Sequence, residues 1–471
     1  MYRFRNISSL LDKFNELENQ EIYFASQEEL NDPMEGYKDL FWKGDVIVWK
    51  NFLLNYIRSA ENTFGQTILL NEKEKLTEVN IFPAPIREAY KTPEYKSMIQ
   101  QIIDNVFSYE FIKDFSSAMA GRTSPIRRVE LLSYLELLHP FVMSSISKSY
   151  HERRFIEKDI FSIGLPNYDT LLKDGGFVGL VNRMEKENSK HKNLTENLFQ
   201  ITSMVNQQVK LLTKYNQSGK LNSNISFLIS EFPENYILKL ESLIYPDWYS
   251  ASFLLDISNS AIWGHYGDNH RGVCLKFKTI KNAENFELHL NTVYGHNGSG
   301  LVVGMRPHAF RQINYHNKHV EIDFFRSIGR MSKIELKALW YSDEAGNLSS
   351  CGDHLNNEEP SWREAYWKNF YDSFSVKLSE WSYEKEYRLV IDGGFTDYKH
   401  SSNRKLKYGF NDLEGIIFGM KTSTLDKIKI MKIIESKCKK NKRKEFNFYQ
   451  AYYSKDSGKV ENFKLNLLKF H

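Results

Sequence analysis

Two carboxylates and a guanidinium occupy alternate positions in the stretch YEKEYRLVI near the end of the chain. In an extended strand, side chains two residues apart share a face, so Glu384, Glu386 and Arg388 are predicted to lie in one row. A Glu-x-Glu pair on a strand is able to hold a ribose hydroxyl and to stabilise a developing oxocarbenium ion. The alternative is an ion network on a solvated strand face, where Arg388 relieves the repulsion between the carboxylates.

A second polar stretch, WGHYGDNHRG, contains His265, Asp268 and His270. Imidazole and carboxylate groups are common metal ligands, and Asp32 and Glu35 of the turn NDPME would complete such a set. The spacing matches no metal motif to which we can assign a mechanism, so we expect no metal.

The stretch WGHYGDNHRG and the turn NDPME also have a structural interpretation. The helix predicted at the start of WGHYGDNHRG ends near Gly267, so the polar residues after it would surround a turn, and Tyr266 would form an aromatic wall. The turn at Asn31 and Asp32 has strong signals of its own, because a residue before proline is extended and asparagine tolerates unusual backbone angles.

The composition is that of an ordinary globular protein. Of the 471 residues, 41% are hydrophobic and 26% are charged, and the aromatic share of 14% favours thick cores over disorder. The formal net charge of +4 creates no global field that demands a polyanionic partner. The basic run KCKKNKRK is a candidate nucleic-acid contact or a solvated loop.

Cysteine usage and the chain start point to the compartment. The three cysteines have no CxxC spacing, which fits a reducing cytosol. We predict neither a signal peptide nor an apolar segment long enough to span a membrane, and therefore a cytoplasmic protein without a membrane partner.

The order of periodicities predicts a discontinuous domain. Residues 1–40 read as strand, helix, strand and turn, and residues 241–471 mix strands with helices. Residues 41–240 show apolar spacings of three and four, which predicts an insertion of roughly six to eight helices. The fold class is therefore α+β with a large helical insertion, which we expect to act as a scaffold or to dock a protein partner.

Taken in this order, the polar stretches resemble a widespread bacterial family that is catalogued as a domain of unknown function. The family motifs are a YRY-like first strand, NDPxE, WxHYxDxHxGxC and WxYExEYR, and they correspond here to Tyr2–Phe4, Asn31–Glu35, Trp263–Cys274 and Trp381–Arg388. The resemblance covers the first forty residues and most of 245–450. The chain departs from the pattern at Met34 and Gly267, and its helical block is longer than the usual spacer.

The layout has a weaker, second-order resemblance to ADP-ribosyltransferases, which implies an ADP-ribosyltransferase-like fold and NAD as substrate. In that case Arg3 would hold the diphosphate or ribose, Tyr23 and Ser26 would support the nicotinamide ribose, and Tyr266 would stack on nicotinamide. The implied NAD-binding residues are Arg3, Tyr23, Ser26, Asn31, Asp32, His265, Tyr266 and Arg388, and the implied catalytic residues are Glu386 and Glu384.

Three functions remain open at this stage. The first is an NAD-consuming ADP-ribosyltransferase or NAD glycohydrolase, acting on a protein or nucleic-acid acceptor as a toxin or antiphage effector. The second is a metal-dependent hydrolase or nuclease built on the histidines and carboxylates named above. The third is a non-catalytic sensor or binding module in which the motifs are structural.

Overall fold

A computed structural model describes residues 1–70, 73–85, 92–161, 175–190, 194–217, 223–282, 285–357, 360–393 and 396–467. The remaining residues, including five short parts of the predicted helical insertion, lie outside this description. The chain divides into two compact units: unit 1 is Met1–Tyr37, Pro246–Val320 and Phe370–His471, and unit 2 is Lys38–Tyr245 and Glu321–Asn369. Residues 321–369 therefore belong to the second unit, whereas the sequence grouped them with the α+β domain.

The strands within the described residues are β1 (Tyr2–Arg5), β2 (Glu21–Tyr23), β3 (Asp39–Trp42), β4 (Ile126–Arg127), β5 (Trp248–Leu254), β6 (Val273–Phe277), β7 (Ile280–Asn282), β8 (Asn285–Asn297), β9 (Gly300–Ala309), β10 (Arg311–Gln312), β11 (Asn314–Tyr315), β12 (Glu321–Asp323), β13 (Val376–Lys377), β14 (Glu386–Asp392), β15 (Lys405–Tyr408), β16 (Leu413–Phe418), β17 (Asn447–Ser454) and β18 (Lys459–Lys464).

The α-helices within the same residues are α1 (Glu16–Asn19), α2 (Val46–Leu70), α3 (Pro93–Ser108), α4 (Glu110–Lys113), α5 (Phe115–Ala120), α6 (Arg128–Glu152), α7 (Gly176–Lys190), α8 (Leu194–Gln217), α9 (Ser223–Ser230), α10 (Phe232–Glu241), α11 (Ser260–His265), α12 (Phe324–Ser327), α13 (Lys333–Leu336), α14 (His354–Asn357), α15 (Pro360–Phe374) and α16 (Thr424–Lys440). Helices and several sheets together confirm the α+β class. None of these helices is long and apolar enough to cross a membrane.

An eight-stranded sheet forms the centre of unit 1, in the order β10-β14-β5-β1-β6-β16-β17-β18. Its two faces pack into different apolar clusters, because neighbouring residues of a strand point to opposite faces. Phe253 lies in one cluster with Leu10, Ile22 and Ile416, and Leu254 lies in the other with Trp263. The N-terminal segment therefore contributes to the same core as strands from the far end of the chain.

The first strand is paired unequally with its two neighbours. It pairs with β6 over four residues but with β5 only through Tyr2 and Leu254. Beyond that pair β5 bonds instead to Ala25, whose amide nitrogen lies 2.8 Å from the carbonyl oxygen of Ser250. Since β1 and β5 diverge, a cleft opens between two strands of the central sheet.

Unit 2 is built on long helices whose apolar residues are buried on several sides. Helix α2 buries Trp49, Phe52 and Tyr56, and α6 buries Tyr134 and Leu138. The described strands of this unit form a three-stranded sheet in the order β12-β3-β4.

The stretch WGHYGDNHRG forms helix α11 followed by a left-handed turn. Asp268, Asn269 and His270 have φ values of 50°, 52° and 69°, in the region that residues with a Cβ rarely adopt. The turn ends at Gly272, where an added Cβ would lie 2.5 Å from the carbonyl oxygen of Arg5. This glycine lets the turn approach β1 closely.

Substitution of Gly272 by alanine should destabilise unit 1 by about 1–3 kcal/mol, because the new methyl group meets backbone rather than a movable side chain. The matched control is Gly264→Ala in α11, where an added Cβ has no neighbour within 4 Å. Alanine should stabilise that helix by roughly 0.5–1 kcal/mol. Chemical denaturation of the full chain measures both changes, and equal effects of the two variants would contradict the close approach.

Candidate functional site

A cavity of about 200 Å³ lies in the cleft of unit 1. Its walls are formed by β1, β5, the segment that follows β2, and polar side chains on and just before β14. The lining residues are Tyr2, Arg3, Phe4, Arg5, Tyr23, Ala25, Glu29, Leu30, Asn31, Glu35, Ser250, Ala251, Ser252, Leu254, Tyr266, Lys377, Glu384 and Glu386.

One wall of the cavity is a buried cluster of charges centred on Lys377. The Lys377 Nζ atom lies 2.8 Å from Glu35, 2.8 Å from Glu384 and 3.3 Å from Glu386. It also lies 4.6 Å from the centre of the Trp381 ring. The single ammonium group therefore holds three carboxylates together.

Arg388 binds two of these carboxylates, Glu35 and Glu386, from the side of the sheet. Its Nε and Nη2 atoms donate to the two oxygens of Glu386 at 2.7 and 3.0 Å, and Nη2 also donates to Glu35 at 2.7 Å. A further bond runs to the carbonyl oxygen of Phe374. Only 1% of Arg388 is exposed, so the predicted ion network is not on a solvated face.

The predicted strand over residues 383–391 is wrong at its start. Residues Ser379–Glu384 form a 3-10 helix, and β14 begins only at Glu386. Lys385 lies between them with a φ of 49°, and this left-handed residue turns the chain. Glu384 therefore reaches the cluster from a helical turn, while Glu386 and Arg388 share a strand face as predicted.

The turn NDPME brings Glu35 to the cluster. Asp32 is buried, its side chain accepts a hydrogen bond from the amide of Met34, and its carbonyl accepts one from Glu35. These bonds fix a tight turn that directs Glu35 inward. Asn31 lines the cavity, whereas Asp32 does not and acts on the turn instead.

Burial raises the pKa of Glu384 and of Glu386, whereas the neighbouring cations lower it. Burial raises the pKa of Glu386, but Arg388 and Lys377 outweigh it and lower the pKa to about 2. For Glu384, burial dominates over Lys377 and the pKa lies above its ordinary value. Glu386 is thus firmly ionised, and Glu384 is the carboxyl that takes up a proton more readily.

Two tyrosines complete this wall. The Tyr266 hydroxyl donates to Glu384 at 2.6 Å, and burial raises the pKa of Tyr266. The Tyr315 hydroxyl accepts from the amide of Glu386 at 2.8 Å. Tyr266 therefore lines the cavity as predicted, but its hydroxyl is tied to Glu384.

Arg3 lies on another wall and is 7% exposed. Its guanidinium donates to the carbonyl oxygens of Ser252 at 3.3 Å and of Tyr23 at 2.9 Å. Among the described residues no carboxylate lies within ion-pair distance of it, whereas its neighbour Arg5 is paired with Glu16. Burial lowers the pKa of Arg3 to about 9, so the group still carries its charge near neutral pH.

Tyr23 and Ser26 surround a carboxylate near the cavity mouth. The Tyr23 hydroxyl donates to both oxygens of Glu29, and Ser26 caps the 3-10 helix Gln27–Glu29 through bonds to the same side chain. Arg404 pairs with Glu29 at 2.9 Å. Tyr23 lines the cavity, while Ser26 is not among the lining residues.

The histidines of WGHYGDNHRG lie away from this wall. His265 and Asp268 are exposed, and neither they nor His270 line the cavity. The His265 ring packs 6.2 Å from Trp381, edge to face. In the part of the chain that the structure describes, no group of three or more His, Cys, Asp or Glu side chains is arranged to hold a metal ion.

Sequence reasoning missed Lys377 and Tyr315 altogether. Lys377 lies near the end of the stretch SWREAYWKNFYDSFSVKL, which the sequence predicts to be a single helix. The structure ends the helix at Phe374 and places Lys377 on β13, parallel to β11 with Tyr315. Ser373 and Ser375, on either side of Phe374, are the available signal that the helix stops.

Two cations of the basic run 437–444 bind backbone carbonyl oxygens within unit 1. Lys437 donates to the carbonyl oxygen of Glu18, and Arg443 donates to those of Phe410 and Leu413. These two cations therefore hold backbone together.

Acid should destabilise unit 1 through Glu386. Its folded pKa of about 2 lies below the unfolded value of about 4.3, so Glu386 stabilises the fold above about pH 4.3. That contribution, on the order of 3 kcal/mol, is lost as the pH falls from about 4.3 towards about 2. Chemical denaturation at a series of pH values should therefore show a shallower decline for Glu386→Gln than for the wild type.

The control for this series is Glu414→Gln, which removes a carboxylate that is partly exposed, pairs with Lys276 and does not line the cavity. It should keep the wild-type dependence on pH. A Glu386→Gln protein with the same dependence as the wild type would show that Glu386 is not stabilised by its cations.

Part of the site lies in a segment that is similar to a known family. Residues 262–389 match the model of a family described as "Protein of unknown function (DUF2971)". No curated protein and no solved structure is significantly similar to the chain. The expected resemblance to a family of unknown function is thereby confirmed for the segment that supplies Tyr266, Lys377, Glu384, Glu386 and Arg388.

Proposed function

We propose that unit 1 binds NAD in the cavity and breaks the bond between nicotinamide and ribose, as an NAD glycohydrolase or an ADP-ribosyltransferase. One observation carries the proposal: the same cavity has an ionised carboxylate, Glu386, on one wall and, on another, a buried cation, Arg3, that has no carboxylate partner among the described residues. A dinucleotide needs both, since its ribose becomes cationic on cleavage and its diphosphate is anionic.

Cleavage requires stabilisation of positive charge. The bond from ribose C1′ to the nicotinamide nitrogen breaks with its electron pair on nitrogen, so nicotinamide leaves neutral and the ribose becomes an oxocarbenium ion. Three carboxylates and two cations give the cluster a formal charge of −1 when Glu384 is ionised. A fixed negative charge in a buried wall stabilises such a cation more than it would in water.

The two glutamates have different environments and therefore different roles. Glu386 stays ionised and faces the ribose, where a 2′-hydroxyl would take the place of the Ser252 hydroxyl that now bonds it. Glu384 has the raised pKa, so it accepts the proton of the water or acceptor hydroxyl that attacks C1′. Lys377 and Tyr266 hold Glu384 in place for that transfer.

Arg3 supports binding rather than cleavage. The Arg3 guanidinium donates to two carbonyl oxygens and lies 5.3 Å from the centre of the Phe253 ring. Neutral partners leave much of its desolvation cost in place, and an anion at the same place would offset that cost. The diphosphate of NAD is such an anion and matches the planar donors of arginine. This assignment agrees with the ADP-ribosyltransferase resemblance, in which an arginine of the first strand holds the diphosphate.

An ADP-ribosyltransferase-like fold is part of the proposal. It is supported by an Arg on β1, an aromatic residue on β2 and a Glu on β14, in the order that the resemblance implies. Loss of cellular NAD is harmful, so such an activity fits a toxin or antiphage effector, and a protein or nucleic-acid acceptor would make it a transferase.

A binding module without catalysis is the second candidate. It is favoured by the completeness of the ion network, in which both oxygens of Glu386 already accept hydrogen bonds from Arg388 and Lys377. A carboxylate so compensated stabilises a nearby cation less. NAD would then bind without being cleaved.

Purified protein should release nicotinamide from NAD, and Glu386→Gln should reduce the rate at least about 100-fold, because the neutral amide removes the charge that faces the ribose. The rate should not respond to a chelator. Nicotinamide is measured by chromatography, with cell lysate added in a parallel sample to supply an acceptor or activator.

Two controls make this result interpretable. Glu414→Gln should keep the wild-type rate, and circular dichroism must show that Glu386→Gln is folded. If Glu386→Gln does not fold, Tyr266→Phe is the second variant, and the lost bond to Glu384 should slow release about 10-fold. Binding of NAD without release under any condition would favour the second candidate, and chelator-sensitive activity would favour a metal-dependent hydrolase.

Arg3→Met should weaken the binding of ADP-ribose roughly 10–100-fold, the usual effect of losing a charged hydrogen bond. The affinity for nicotinamide should change little, since that group lacks a phosphate. Calorimetry with the two ligands measures both values. Lys276→Met on the neighbouring strand β6 is the control, because Lys276 is already paired with Glu414 and does not line the cavity. Equal losses in the two variants would contradict a specific role of Arg3.

A further inference from the structure

Helix α8 of unit 2 presents its apolar side to solvent. Leu211 is 70% and Tyr215 is 80% exposed, whereas the side of the helix that faces its own unit buries Phe199. Amphipathic helices of globular proteins normally have the opposite arrangement, with the apolar side on the core. The apolar side of α8 therefore faces away from its own unit, the reverse of this usual arrangement.

Polar contacts hold the inward side of α8 in this orientation. Asn206 Nδ2 lies 2.7 Å from Glu136 Oε2, and Lys210 Nζ lies 2.6 Å from Glu136 Oε1. Lys214 pairs at 2.8 Å with Glu231, the residue between α9 and α10. These polar contacts fix the rotation of α8 about its own axis, and that rotation turns its apolar side to solvent.

The exposed apolar residues follow a heptad pattern. They are separated alternately by four and three residues, and they are Leu194, Leu198, Ile201, Val205, Leu212 and Tyr215. Gln208 occupies the one remaining position of the series. This spacing is the seam of helices that pack side by side through knobs and holes, and one polar residue in such a seam fixes the register.

The positions that flank this seam carry no charge. Met204, Val209 and Leu211 widen the apolar surface, and the other flanking positions are threonines and asparagines. A partner recognised through charge would need complementary charges here, and helices that lie on membrane surfaces carry lysine and arginine beside their apolar side. A second copy of the same surface needs neither and meets no like-charge repulsion.

The size of the surface also fits a second copy. The helix is about 36 Å long, and its nine exposed apolar side chains offer on the order of 800 Å², the area that each partner contributes to an interface of standard size. A two-fold axis that runs along the pair of helices uses the same surface twice. It places Gln208 opposite its counterpart, where the two amides are able to bond each other. The nine side chains are between 42% and 80% exposed.

We propose that the chain self-associates through the exposed side of α8, which pairs with α8 of a second copy. The proposal does not depend on the function of unit 1. Sedimentation equilibrium of the full chain should show a dimer at about 50 µM, and Leu198→Glu combined with Leu212→Glu should weaken association at least about 100-fold, because each charge would be buried in the seam.

The matched control is Leu425→Glu, since Leu425 is 73% exposed on α16 and belongs to another surface. It should leave the dimer unchanged, and the thermal midpoints of all variants should stay close to the wild type because the altered side chains are exposed. Gln208→Cys provides a second measurement. The three native cysteines are buried, so mild oxidation should link two copies only through the new thiol.

A protein that is monomeric at every concentration would overturn the proposal, as would a dimer that survives the double substitution. Flotation with neutral and anionic phospholipid vesicles forms the other arm. Binding of a monomer to vesicles that is lost in the double variant would assign the surface to a membrane and would also overturn self-association.

Discussion

Compensation of buried charge is the constraint on which unit 1 depends. Five ionisable side chains at one end of β14 are almost fully removed from water, and each would be costly there without its partners. Lys377 and Arg388 satisfy the three carboxylates only when a turn, a short strand and β14 are all in place. The cluster thus joins segments that are far apart in the chain. Each of its side chains is held in position by its partners.

The same compensation of buried charge explains how a network of ion pairs also forms one wall of a candidate site. A network with equal charges would be inert towards a cation, but three carboxylates against two cations leave one negative charge in the wall when Glu384 is ionised. The divergence of β1 from β5 then provides space beside that wall and exposes Arg3 to the same space. The electrostatic imbalance and the cleft have separate structural causes, and only their combination makes a candidate site.

The sequence predicted those features that depend on local pattern. Alternation correctly placed Glu386 and Arg388 on one strand face, and the proline turn correctly indicated a sharp change of direction before Glu35. It misplaced Glu384, because nothing in the sequence marks Lys385 as left-handed when that conformation favours glycine. Lys377 was not predictable, since its importance comes from pairing across the fold rather than from its neighbours. Apolar spacing did indicate α8 as a helix, but which of its sides faces solvent depends on Glu136, a residue on another helix.

The long separation between Glu35 and the rest of the cluster follows from the same geometry. Residues 38–245 of unit 2 lie between two pieces of unit 1 in the chain, so the pieces that precede and follow this segment both belong to unit 1. The two hydrogen bonds between Ala25 and Ser250 join the pieces close to the point where the chain leaves unit 1 and returns to it. A segment whose ends are held close together is inserted at small entropic cost, because its length changes the closure entropy only slowly. The length of the helical segment is therefore free to vary, while the positions of Glu35 and Ser252 around the cavity are not.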